Sequence, residues 1–534
     1  MVRQLSTFKP YVGALAIAVI AWLAFTLPDH PDAIGLQAFL RLPLEWPLMM
    51  LLLLVVPRSL RRPLALLCGL VLLLILFLKA ADIGTQAAFQ RPFNPYLDIK
   101  MLADGWNLMS GTVGTLVAFA GVAAALIGLL LILMLFLRAA RWFAEIPRPG
   151  RSWFILALAG AILFGGIAMF LNALRVEARM PSYLSKRLAL VIKSIEDMHV
   201  FETALATGTG PRAGAGLFGR LQNKDFVLIF VESYGRSAVE DPRYAGVTRP
   251  RLEGVQAEAE RAGLVSASAW VTSPTVGGLS WLAHGTLLSG LWVDSQARYD
   301  RLMISQQPSL NRLFAEAGWK SIAAMPAITM DWPEAAYYGY RQVLAAADLD
   351  YRGKPFNWVT MPDQYTLAAF ERLGREPARA AGERVMAEVA LISSHAPWTP
   401  VARLIDWDAV GDGQVFNAQA ESGDLPRVVW ADPERVRSQY IQTIDYSLET
   451  LGSYMARFGK DTVFVILGDH QPAAIITGRN ASRAVPIHVV SADRELVARF
   501  ERQGFVSGML PAAQTREWPM NEMRQVLIDL FSAP

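Results

Sequence analysis

Cysteine is almost missing from this sequence: Cys68 is the single one in 534 residues, and it lies inside an apolar run. No disulfide can close within one chain, and no cysteine-based zinc site is available. A domain outside the reducing cytoplasm would then have to rely on core burial and on metal. An excess of one charge is missing too. The 50 Lys and Arg nearly balance 47 Asp and Glu, leaving a net charge of +3, which gives no preference for nucleic acid. There is no internal repeat. The length allows roughly three domain-sized units.

What is abundant is hydrophobic residues, at 53% of the chain, and most of the excess precedes Leu174. Five apolar runs stand out: Tyr11–Leu27, Leu44–Val56, Leu64–Leu78, Val113–Leu137 and Trp153–Leu174. A membrane-crossing helix needs about 20 apolar residues, so the second and third runs are short, and a single re-entrant pair is the alternative there. The first run lacks a small-x-small cleavage site and is followed by further spans, so it reads as an anchor rather than a removed leader. Arg3 and Lys9, then Arg58, Arg61 and Arg62, then Arg138, Arg141, Arg148 and Arg151 fall on one side of these five spans, which makes that side cytoplasmic. The other connections carry Asp29, Asp32, Asp82, Asp98 and Asp104. An odd number of crossings places everything after Leu174 outside. The basic residues that follow, Arg175, Arg179, Lys186, Arg187 and Lys193, suit either an amphipathic helix over Pro181–His199 lying on anionic headgroups or a solvated linker helix. The Gly- and Ala-rich stretch Thr207–Gly219 reads as a connector. The expected domains are therefore a transmembrane α-helical bundle over 1–180, a juxtamembrane helix and linker over 181–220, and an extracytoplasmic domain over 221–534.

Beyond Leu221, the runs Phe226–Val231, Val385–Ile392, Val463–Leu467 and Val485–Val490 have the continuous apolar character of strands buried on both faces. Helical patterns such as Ser309–Ala317 and Val436–Met455 separate them, which predicts an α/β domain with a mainly parallel central sheet. Ligands gather at the carboxyl ends of such strands. Glu232 ends the first strand, Ser394-His395 follows a second, and Gly468-Asp469-His470 ends a third. Between them lies Ser273-Pro274-Thr275-Val276-Gly277-Gly278-Leu279-Ser280-Trp281. Glu, Asp and His ligands suit Zn²⁺ or Mn²⁺, and a hydroxyl beside such an ion becomes a usable nucleophile. Each residue also has a plainer reading. Glu232 could pair with a nearby Arg, Asp469-His470 could form a turn, His395 could be a core histidine, and Thr275 could merely cap a helix.

Together these motifs resemble the alkaline-phosphatase/sulfatase superfamily, and within it the membrane phosphoglycerol and phosphoethanolamine transferases, lipoteichoic acid synthases included. The matching residues are Glu232-Ser233-Tyr234-Gly235, Thr275-Val276-Gly277-Gly278-Leu279, Ser394-His395-Ala396-Pro397 and Gly468-Asp469-His470, with Trp358 to Tyr365 and the helix Tyr440–Leu451 as further similarities. The resemblance implies a divalent metal, Zn²⁺ or Mn²⁺, held by Glu232, Thr275, Asp469 and His470. It implies Thr275 as covalent acceptor and His395 as the residue facing the substrate phosphate. The implied partners are a phospholipid donor, a glycan or lipid acceptor and the membrane, in a bacterial inner membrane with the catalytic domain in the periplasm or outside. No Cys-x-Pro-Ser-Arg motif is present and no cysteine follows Val200, which counts against a true sulfatase. The lack of disulfides departs from the phosphoethanolamine transferases. A hydrolase using water in place of the acceptor, and a non-catalytic glycan-binding or envelope-assembly protein, are the alternatives. The roles of His284 and His488 stay open, with packing behind the site favoured for His284.

Overall fold

The computed structural model describes residues 2–99, 106, 114–171, 175–207 and 216–532. Asp104, the ends Val113 and Leu174 of two expected spans, and the middle of the connector lie outside these residues. Two compact units are present, residues 1–87 with 91–197, and residues 88–90 with 198–534.

The first unit is a helical bundle built from α1 (Val2–Thr26), α2 (Glu45–Val55), α3 (Arg61–Phe89), α4 (Thr115–Ala144) and α5 (Arg148–Phe170), followed by α6 (Met180–Thr207). Among the described residues four stretches, Phe8–Thr26, Arg61–Phe89, Thr115–Ala144 and Pro149–Phe170, are long and apolar enough to cross a membrane. The second expected span, α2, has 11 residues, about 16 Å of helix against a hydrocarbon layer of about 30 Å. Its ends nevertheless reach opposite ends of the bundle. Leu42–Pro43, just before α2, pairs in parallel with Val176–Glu177, just after α5. At the other end, Leu54 accepts a hydrogen bond from Arg151 at the start of α5. There Arg61 donates to the carbonyls of Val56, 3.1 Å away, and Ala144, 3.5 Å away. The five helices therefore alternate in direction, with long arginine side chains extending the reach of the short one.

Two expectations change here. Helix α3 continues eleven residues past Leu78, so Asp82 lies within a helix and not in a connection. It is buried and accepts from Phe93 N at 2.9 Å, Tyr183 Oη at 2.7 Å and Arg187 Nη2 at 2.5 Å. Arg187, read from the sequence as facing either headgroups or solvent, instead forms an internal ion pair, because a buried carboxylate is costly unless paired.

The second unit carries a nine-stranded mixed sheet. Its strands are β1 (Asp225–Val231), β2 (Val265–Thr272), β3 (Lys320–Met325), β4 (Gln342–Ala345), β5 (Val385–Leu391), β6 (Thr462–Gly468), β7 (Ala484–Ser491), β8 (Val506–Ser507) and β9 (Glu517–Pro519). The order is β8-β2-β7-β6-β1-β5-β3-β4, with β9 against β2. From β6 to β4 every pairing is parallel, and β7 runs antiparallel to both neighbours. All seven positions of β1 are buried, as its unbroken Phe-Val-Leu-Ile-Phe-Val run demands of a central parallel strand. Helices α7 (Pro242–Arg261), α8 (Ser280–Ser289) and α9 (Pro433–Phe458) belong to the covering layers. The opposite end of the sheet is tied by Arg375, fully buried between Asp225 and Glu371, each 2.8 Å away. The carboxyl ends of β1, β5 and β6 are thereby left as neighbours at one edge.

Candidate active site

Three adjacent parallel strands deliver the site. Glu232 leaves the end of β1, Ser394-His395 leaves β5, and Asp469-His470 leaves β6. Glu232, Asp469 and His470 are all buried, and one ligand atom from each lies within 4.8 Å of the others. His470 Nε2 is 3.2 Å from Glu232 Oε1 and 3.7 Å from Asp469 Oδ2. Asp469 is fixed from behind: its Oδ1 accepts from Ser233 N at 2.8 Å and His470 N at 2.7 Å. His470 Nδ1 lies 2.9 Å from the Gln471 carbonyl. That bond places the ring proton on Nδ1 and leaves Nε2 as an electron-pair donor. Ser233, directly after Glu232, takes a left-handed φ of 56°, a cost of order 1–3 kcal/mol that clusters at functional sites.

The charge balance of the three groups fits a divalent cation. Burial and the neighbouring Glu232 charge push Asp469 up to about 7. Burial disfavours the His470 imidazolium, yet Asp469 and Glu232 push it up to about 9. Burial alone would raise Glu232, and the His470 charge instead holds it well below the usual carboxylate range. The pocket thus concentrates more negative charge than its dryness supports, and without a cation His470 offsets part of it by holding a second proton, on Nε2. Two carboxylates and one imidazole are a donor set that suits Zn²⁺ or Mn²⁺.

The hydroxyl brought to these groups is that of Ser280, not Thr275. Ser280 Oγ lies 3.0 Å from Glu232 Oε2 and 3.2 Å from His470 Nε2. Thr275 Oγ1 donates to the Gly278 carbonyl at 2.8 Å and closes its own loop. The reason is local. Gly277 (φ 76°), Gly278 (φ 144°) and Leu279 (φ 64°) are all left-handed, so the helix expected to begin at Thr275 begins five residues later, as α8, with Ser280 its first residue. The two glycines take these angles at no steric cost, and Leu279 alone bears one. The loop is held against the end of β6 by Ser273 Oγ donating to the Asp469 carbonyl at 2.6 Å and Gly277 N to the Gln471 carbonyl at 2.7 Å. Ser280 therefore sits where helix-start amides and candidate metal ligands face one space.

His395 flanks the site. Its ring stacks on Trp358 with centroids 3.8 Å apart, and its charge lowers Glu232. Ser394 Oγ donates to the Glu232 carbonyl at 2.5 Å, joining the two strand ends. Asp363 does not join the metal group. Its carboxylate accepts from Ile392 N and Ser393 N, both at 2.9 Å, and from Ser447 Oγ at 2.6 Å, which holds the loop carrying His395. Tyr440 Oη donates to the Ser233 carbonyl at 3.0 Å. His488 is a core residue between Tyr234 and Ser268, 3.2 Å and 2.8 Å away, and burial pushes it down to about 3. His284 Nδ1 lies 2.7 Å from Glu388 Oε1.

No protein-family model matches the sequence, and no curated protein matches it. Among solved structures, the chain is similar to the lipoteichoic acid synthase LtaP from Listeria monocytogenes at 13% identity and a TM-score of 0.40, covering 62% of this chain and 78% of that one. It is similar to the C-terminal periplasmic domain of EptC from Escherichia coli in complex with Zn at 14% identity and a TM-score of 0.39, covering 60% and 84%. It is similar to the phosphoglycerol transferase GacH from Streptococcus pyogenes at 10% identity and a TM-score of 0.36, covering 55% and 72%.

Proposed function

We propose that this chain is a membrane-anchored, metal-dependent transferase that moves a phosphoryl-alcohol group from a phospholipid to a hydroxyl on an envelope glycan or lipid. The observation that carries the reading is the Ser280 hydroxyl at a helix start, within hydrogen-bond distance of two of the three buried ligand candidates. Glu232, Asp469 and His470 would hold the cation, which when bound supplies positive charge to the phosphoryl oxygens and lowers the hydroxyl pKa. Ser280 Oγ attacks the donor phosphorus, and the bond to the lipid alcohol breaks. His395 gives that departing oxygen its proton. In the second half, the acceptor hydroxyl attacks the phosphoserine, its proton passes to His395, and Ser280 is released. The motif resemblance supports the reaction class, and the apolar bundle suits a donor that resides in a bilayer.

The test is transfer of label. Detergent-solubilised full chain, given phosphatidylglycerol or phosphatidylethanolamine labelled in the headgroup, should release diacylglycerol and pass label to added envelope glycan or lipid. Headgroup phosphate appearing only as the free, water-released product would make the protein a hydrolase of the same chemistry. No lipid turnover with any divalent ion would remove the reading.

The site must also lie on the donor's side. We infer that the arginine-bearing end of the bundle is cytoplasmic and that the second unit lies outside, because the five helices alternate and the chain leaves the last at the opposite end. Alkaline-phosphatase fusions after Gly219 should be active, and fusions at Arg62 and Arg148 inactive. The reverse pattern would place the site in the cytoplasm.

A further inference from the structure

Glu388 lies within strand β5, paired with Leu228 of β1, and is buried deep beneath the site. A carboxylate there is costly unless fully partnered, and three side chains converge on it. His284 Nδ1 lies 2.7 Å from Oε1, Asn311 Nδ2 3.3 Å from Oε2, and the Tyr340 hydroxyl bonds Oε2 as well. His284 is also clamped face to face on Phe230, with centroids 3.8 Å apart. Glu232 directly follows β1, two residues after Phe230, so the alternation of the strand carries both side chains to one face of the sheet. His284 is one turn after Ser280 on α8, and residues four apart share a helix face. Helical side chains lean toward the helix start, here toward Ser280. With Nδ1 committed to Glu388, Nε2 is the nitrogen left for the site.

The Ser280 hydroxyl lies at hydrogen-bond distance from Glu232 and His470 and also bonds the Asp469 side chain, and all three are assigned above to the cation. None of them can then take its proton. We propose that His284, oriented by Glu388, is the proton acceptor for Ser280, with Tyr340 and Asn311 as positioning residues that hold Glu388. This rests on the transferase reading. In the first half-reaction the Oγ–H proton passes to His284 Nε2 while the Oγ electron pair forms the bond to phosphorus. The phosphorus–alkoxide bond breaks, and the departing oxygen is protonated by His395. In the second half the acceptor proton goes to His395, the phosphorus–Oγ bond breaks, and His284 returns the proton to Oγ, so the cycle closes.

The test uses full chain in detergent, loaded with Zn²⁺ or Mn²⁺, and bis(p-nitrophenyl) phosphate. Nitrophenolate leaves without needing a proton, so this probe isolates activation of the nucleophile from protonation of the leaving group. His284→Gln should slow formation of the covalent Ser280 adduct by about 10²–10⁴-fold, with metal content and melting temperature near wild type. Added imidazole should restore much of the rate in His284→Ala. Glu388→Gln removes a negative charge that favours the imidazolium, so the acid limb of the rate profile should move to lower pH. The other titratable groups are Asp469, which faces His284, and Tyr340 and, beyond it, Tyr299 on the far side of Glu388, and all remain in that variant. A His284→Gln adduct formed at the wild-type rate overturns the proposal. So does a slowed rate with no imidazole rescue and an unmoved acid limb in Glu388→Gln, the pattern of a packing role. Wild-type protein that forms no Ser280 adduct removes the transferase reading itself, whereas a normal wild-type adduct with an equally fast His284→Gln removes this proposal alone.

Discussion

Ser280→Ala should reduce turnover by on the order of 10⁴-fold or more, the scale seen when a covalent nucleophile is removed, while leaving the fold and metal content close to wild type. The hydroxyl is half-buried and contributes hydrogen bonds at its own site alone, so its loss costs stability about 1 kcal/mol. Thr275→Ala is the control that separates the two hydroxyls. It deletes a loop-closing bond to Gly278 and should cost a similar amount of stability, with activity falling only a few-fold. Peptide mass spectrometry after incubation with donor lipid and no acceptor locates the adduct. Phosphoryl-alcohol on Ser280 is the expected result. An adduct on Thr275, or full activity in Ser280→Ala, would return the nucleophile to the residue the sequence favoured.

The second large effect is on metal. Glu232→Ala and Asp469→Asn should each lose the bound ion and with it turnover, and chelator should do the same to wild type, with Zn²⁺ or Mn²⁺ restoring it. The stability changes should run the other way. Without metal, two buried carboxylates face each other across a few ångströms, and Asp469 is pushed up to about 7 by burial and by Glu232. Neutralising it relieves that repulsion, so metal-free Asp469→Asn should melt no lower than metal-free wild type. Wild type alone should gain on adding metal, by about 4 kcal/mol when the ion is at a thousand times its dissociation constant. Elemental analysis and melting curves with and without chelator measure both. Wild type that carries no ion and gains nothing from one would end the metal-dependent mechanism.

The contrast between Ser280 and Thr275 shows how far the residues alone lead. Glu232, Asp469 and His470 were legible because each ends a strand whose apolar run is unmistakable, and a parallel sheet has one active edge. Strands β2 and β3 were not, because Ser-Ala-Ser-Ala and Ser-Ile-Ala-Ala carry too little bulk to mark a buried strand, although their small side chains suit the interior of this sheet. Which hydroxyl reaches the three groups turned on torsion angles. Thr275-Val276 reads as a helix start if Gly277 and Gly278 are taken as small residues inside a helix. Read as breakers, the same glycines put the helix start at Ser280, and that was the signal available. Glu388 was hidden for the opposite reason: a carboxylate in the middle of Val-Met-Ala-Glu-Val-Ala-Leu finds its partners only through residues distant in the chain, His284, Asn311 and Tyr340.

The sheet's connectivity has a consequence for how the protein is made. Val265 pairs with Ser491, and Asp225 with Thr462, so the central strand lacks one neighbour, and β2 its β7 partner, until almost the whole second unit has been synthesised. Closing loops of that length carries an entropic cost before any contact rewards it, and topologies of this kind form slowly. The anchor helices, being local and early in the chain, can be in place long before. A tethered, half-finished domain with Phe-Val-Leu-Ile-Phe-Val exposed at its centre is then an obligatory stage of biogenesis. Because Glu232 and Asp469 come from opposite ends of that interval, the candidate metal site forms only once β6 has been made, and no shorter product can carry it.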